Sequence, residues 1–152
     1  MEDERATPYT QKLRDLLDEY EAAVRAAKAR RTAASGLLGL GPKGSDDPCH
    51  EAFDSKLAAL FAAMAAGDAS PADAAEATGL LLRAEDDRPW PMDARWMLVA
   101  AQRHALPLIP LLPAAEREGL LLEYRKRYPR FHRLPVQNEI LQALSREPRG
   151  CE

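Results

Sequence analysis

The chain has 152 residues, 46% of them hydrophobic and 30% charged, with a formal net charge of −3 and a pI near 5.7. That length fits one domain with a core of its own, and the acidic balance argues against a wholesale nucleic-acid binder. Alanine and leucine dominate while valine and isoleucine are scarce, which favours helices over strands.

The first residues, 1–7, form an acidic lead-in expected to be mobile, with no apolar stretch of the signal-peptide kind. Thr7-Pro8 then reads as a helix start: a hydroxyl cap, followed by proline where its missing N–H costs nothing. From there Tyr9, Leu13, Leu16, Leu17, Tyr20, Val24 and Ala27 recur three and four apart, the stripe of a long amphipathic helix. Its acidic start and basic end suit the helix dipole. Residues 34–47, ASGLLGLGPKGSDD, carry four glycines and a proline and predict a flexible loop. Leu37, Leu38 and Leu40 within it are candidates for docking on the body or on a partner.

Asp47-Pro48 opens a second helix with a stripe of Phe53, Leu57, Leu60, Phe61 and Met64, and Gly67 closes it. Ser70-Pro71-Ala72-Asp73 opens a third, rich in small residues, with Asp73 in its first turn. The fourth, from about residue 91 to 104, is apolar around nearly its whole circumference and is expected to be buried, with Trp90, Trp96, Met97, Leu98 and Val99 spent as core. Pro107, Pro110 and Pro113 follow with the period of a polyproline helix. The leucines and isoleucine between them favour a buried connector with a 3₁₀ turn over an exposed ligand. A fifth helix runs to Tyr128 and a sixth from about Pro135 to Ser145. The expected fold is all-α: a single domain over residues 1–152, a bundle of about six helices around the central helix at 91–104.

No catalytic, cofactor or metal signature stands out. The chain has no G-x-S-x-G, no H-E-x-x-H and no phosphate-binding glycine loop. Cys49, His50, His104, His132 and Cys151 lack the paired spacing of a zinc site. Cys49 and His50 lie in a helix first turn, where a thiol can be activated, but a space-filling cysteine is the commoner outcome. No catalytic residue, metal or cofactor is therefore assigned.

Two polar groupings remain. Arg95, Gln102 and His104 interrupt the apolar fourth helix. Arg95 and Gln102 share one strip, which either meets acids such as Glu85 to Asp87 inside the fold or lines a cleft. Asp93 and His104 share the opposite strip but sit roughly 16 Å apart along the axis. The segment YRKRYPRFHR interleaves Arg125, Lys126, Arg127, Arg130 and Arg133 with aromatic rings, a pattern that suits phosphates and bases or an acidic protein surface.

The favoured expectation is a non-enzymatic, adaptor-type regulatory protein of the cytoplasm. It would act through protein–protein contacts at Leu37, Leu38 and Leu40 and at Arg125 to Arg133, with self-association as a homodimer in view. No membrane is involved, and nucleic acid is disfavoured as a partner. The competing readings are an enzyme or small-ligand binder with an interhelical cleft near Arg95 and His104, and a phosphate- or RNA-binding module on residues 124–133.

Overall fold

The computed structural model describes residues 8–38, 48–128 and 133–146, together with their side chains except those of 31–38. Among the described residues are six α-helices and no strand: α1 Pro8–Leu38, α2 Pro48–Ala63, α3 Pro71–Leu82, α4 Met92–Ala101, α5 Ala114–Arg127 and α6 Pro135–Ser145. The protein is an all-α helical bundle. Residues 1–7, and with them the expected Thr7 cap and mobile lead-in, lie outside the described residues.

α1 lays its stripe of Leu13, Leu16, Leu17, Tyr20, Val24 and Ala27 against both α2 and α3. It continues through Gly36 to Leu38, so the loop expected from residue 34 starts no earlier than 39. A run rich in Ala and Arg propagates a helix well, and one glycine costs only about 1 kcal/mol against it. The side chains of Leu37 and Leu38, and all of Leu40, fall outside the described residues.

α2 buries Phe53, Leu57 and Phe61 and leads into a widened turn, Met64–Asp68. Gly67 there has φ +101°, the left-handed region that ends a helix at little cost only for glycine. Ser70 then caps α3, its Oγ accepting from the Asp73 N–H at 3.1 Å. Nine of the twelve residues of α3 are buried, against four of the ten in α4. Alanine, glycine and threonine let neighbouring helices close over α3, so small side chains give fuller burial than large ones do.

The short turn Ala84–Asp86 carries the chain to α4, and Trp90 fills the corner. Its indole donates to the Ala84 carbonyl at 2.8 Å, and its ring lies 5.5 Å from that of Tyr20, which stacks on Phe53 at 4.1 Å. After α4 the helix tightens to 3₁₀ geometry at Gln102–Ala105, and a second 3₁₀ turn forms at Ile109–Leu111. The proline connector buries Leu108, Ile109 and Leu112, as expected, but leaves Leu111 outside. α5 and α6 pack on one another to close the bundle. No helix among the described residues is long and apolar enough to cross a membrane.

Candidate functional site

The site is organised by α4, which has two unlike faces. Ala94, Leu98, Val99 and Ala101 point into the core. Met92, Trp96 and Ala100, each one turn from the next, face out. Met92 is 67% exposed and Trp96 58% exposed, so the expected burial of Trp96 is corrected. An apolar side chain is buried only where a neighbouring element covers it, and the packing against α4 stops short of this ridge. The other tryptophan, Trp90, is 5% exposed and belongs to the core as expected.

Beside the ridge lies a cleft of about 310 Å³. α4 supplies Met92, Arg95, Trp96 and Val99; Glu85 comes from the preceding turn, and Leu134 and Gln137 from the start of α6. Its polar wall is held from within. The buried Tyr124 hydroxyl donates to Gln102 Oε1 at 2.5 Å, Gln102 Nε2 donates to the Tyr128 hydroxyl oxygen at 3.4 Å, and the Tyr128 hydroxyl donates to Glu85. Glu85 in turn meets the Arg95 guanidinium at 3.3 Å. Burial pushes the Tyr124 and Tyr128 phenols well above the usual tyrosine range, and for Tyr128 the bond to Glu85 adds to it. Both therefore stay neutral donors, and the chain fixes a cation at the mouth of an apolar cleft. The expected pairing of Arg95 with the Glu85–Asp87 acids is present, since Asp86 also lies 3.6 Å from its guanidinium.

Of the three residues grouped as a cleft from the sequence, only Arg95 lines it. Gln102 is fully buried behind it, as the link between the two tyrosines. His104 faces away, its Nε2 2.9 Å from Asp54 of α2, the carboxylate that also holds Arg103. His104 stands on the opposite strip from Arg95, where the helical spacing already placed it, and Gln102 stays on the Arg95 side but lies deeper, linked to it through Tyr128 and Glu85.

The basic segment joins the same site. Arg127 Nε donates to Asp86 at 2.7 Å, and Arg133, next to the cleft-lining Leu134, donates to the Tyr128 carbonyl at 3.1 Å. Arg125 and Lys126 are exposed on the last turn of α5, where cations suit the dipole. Arg130 lies outside the described residues. Tyr124 is buried and Tyr128 turns its hydroxyl inward, so these two rings are not laid out for stacking on bases.

Elsewhere, His50 is buried between Tyr20 and Asp93, with Nδ1 2.6 Å from the Tyr20 hydroxyl and Nε2 3.3 Å from Asp93 Oδ2. A proton on Nε2, facing the carboxylate, leaves Nδ1 to accept from the phenol, so the ring ties α1, α2 and α4 together. Cys49 beside it is half-buried against the core. Among the described residues no group of three or more His, Cys, Asp or Glu could hold a metal ion. A second cleft, of about 500 Å³, runs between α3 and α5 over Ala75, Gly79 and Gly119, with Glu76, Glu116 and Glu123 about it.

Sequence reasoning missed the cross-helix role of Asp73, which it placed only as a first-turn acid, and missed Arg117 altogether. Asp73 caps α1 from α3, and buried Arg117 donates to the Leu112 and Arg146 carbonyls at 3.2 and 2.5 Å. Arg117 carries no local signal, because its surroundings AAEREG read as a solvated helix start. The chain matches no protein-family model, no curated protein and no solved structure.

Proposed function

We propose that this chain is a non-enzymatic binding protein of adaptor type, acting through protein–protein contact at the Met92/Trp96 ridge and the cleft beside it. One observation carries the reading: a tryptophan and a methionine stand exposed one turn apart on a helix whose other face is anchored in the core. Trp, Met and Arg are enriched at interface centres, where a few rigid anchors dominate the binding energy. Here the anchors are pre-organised, because α4 is fixed by Leu98 and Val99 and Arg95 is fixed by Glu85, so little ordering entropy remains to be lost on binding. Arg95, His50, His104 and Arg103 each have their own partners within the fold and do not converge, which supports binding over catalysis.

The cytoplasm is the proposed setting, on the sparse cysteines. The test compares partners captured in the native cell by the natural chain and by the Met92→Ser/Trp96→Ser double variant, both checked for intact helicity. We expect a stoichiometric partner of the natural chain to be lost from the variant. Identical partner sets would overturn the reading.

A further inference from the structure

We infer that the segment seated in the cleft beside Trp96 is a proline-rich strand in the polyproline II conformation, supplied by a partner chain. The inference rests on the docking reading above and adds the chemistry of the occupant. Its ground is the hydrogen-bonding state of the cleft wall. Gln137 lines the cleft and is only 5% exposed, and its Oε1 accepts from the Leu134 N–H at 2.7 Å. Because that partner is an N–H, the atom facing it is the oxygen, which fixes the amide the other way round from a flipped one. Among the described residues nothing accepts from Gln137 Nε2, and nothing accepts from the Trp96 indole N–H. A nearly buried amide with unspent donors is costly unless a ligand takes them. The acceptors of the same wall are spent: Glu85 Oε1 takes the Tyr128 hydroxyl, Glu85 Oε2 takes Arg95 Nη2 at 3.3 Å, and Gln137 Oε1 holds Leu134. The rim charges are matched as well, Glu85 and Asp86 against Arg95 and Arg127, so charge does not select the occupant.

An apolar cleft whose polar side chains donate and have no acceptor to spare fits a backbone that accepts and does not donate. Proline carries a carbonyl and no N–H. A polyproline II strand makes no internal hydrogen bonds, so its carbonyls are open to Gln137 and Trp96, whereas the interior carbonyls of a helix are already used. Its rings are apolar and lie against Trp96, Val99 and Leu134, the kind of aromatic-lined groove that such segments dock into. The strand is stiff before it binds, so docking orders little that was free. The chain's own proline series is not the occupant, because Leu108, Ile109 and Leu112 commit it to the core.

The test is a displayed library of random short peptides, selected on the full chain and counter-selected on Trp96→Ser. We expect enrichment of proline at a spacing of three, the repeat of polyproline II. Gln137→Glu keeps an oxygen for the Leu134 N–H and removes only the donors. Binding of the selected peptides should fall on the order of tenfold in that variant while its thermal midpoint holds. Binders that need Trp96 but lack proline, or that bind Gln137→Glu unchanged, overturn the inference and leave the docking reading standing. Should Gln137→Glu fail to fold, the side-chain amide resonance of Gln137 in the natural chain decides: it shifts on adding a selected peptide if its donors are used, and an unmoved resonance overturns the inference. Failure to obtain any binder that discriminates the natural chain from Trp96→Ser overturns both readings. Sedimentation of the chain alone supplies the remaining outcome: a dimer abolished by Trp96→Ser would give the cleft to a second copy and overturn the proline strand.

Discussion

The carboxylate of Asp73 serves a helix other than its own. Fully buried in α3, it accepts from the Tyr9 N–H at 2.8 Å, the Thr10 N–H at 3.0 Å and the Thr10 hydroxyl at 2.8 Å, and so caps the first turn of α1. Those N–H groups have no partner within their helix, and the dipole there favours a negative charge. Asp73→Ala removes the cap and strands buried donors, so we expect a loss of about 3 kcal/mol in urea unfolding, with Asp73→Asn losing less because one oxygen can still accept. Equal stability of the alanine variant would contradict this account. The sequence shows Asp73 as a first-turn acid, but local spacing cannot say which helix terminus comes to meet it. The same limit explains His50, whose partners Tyr20 and Asp93 lie on two other helices.

Helix starts and stops are the part of the fold most legible beforehand, because Pro8, Pro48, Pro71 and Pro135 act locally and each stands first in its helix. Gly67 is similarly local. Its φ of +101° is strained for any side chain, yet a Cβ there would meet nothing within 4 Å. Gly67→Ala should therefore cost about 1–2 kcal/mol by thermal or chemical unfolding, from the backbone alone. A neutral result would show that the turn relaxes. What periodicity could not settle is the outer side of α4. Its residues are apolar around the helix, but burial depends on whether α6 and the connector extend far enough to cover Met92 and Trp96, and they do not. The cleft was legible as far as Arg95 and its pairing with Glu85. Its far wall comes from Leu134 and Gln137 at the start of α6, which are distant in sequence.

The bundle is stapled by the buried phenols of Tyr20 and Tyr124 and the half-buried phenol of Tyr128. Tyr20, Tyr124 and Tyr128 are all pushed above the ordinary tyrosine value of 10.0, with burial the first cause in each. Their unfolded counterparts ionise near that ordinary value. The stability they contribute is fully present below about pH 10 and is lost as pH rises above it toward the folded values, because only the unfolded chain then releases those protons. The urea midpoint should accordingly fall steeply above pH 10, and the folded chain should show phenolate absorbance from far fewer than its four tyrosines. Ionisation of all four near pH 10 with helicity intact would contradict the packing. At this scale the all-α bundle follows from composition and period, whereas the surface that is left over for a partner emerges only once every helix has been placed.

The central claim is that the two tryptophans lie on opposite sides of one structural boundary, Trp90 spent on the core and Trp96 left for a partner. Acrylamide quenching of the single-tryptophan variants Trp90→Phe and Trp96→Phe tests it directly. The account predicts that Trp96, alone in the first variant, emits to the red and is quenched freely, while Trp90, alone in the second, emits to the blue and is protected. Blue-shifted, protected emission from Trp96 would contradict it, and with it the docking ridge.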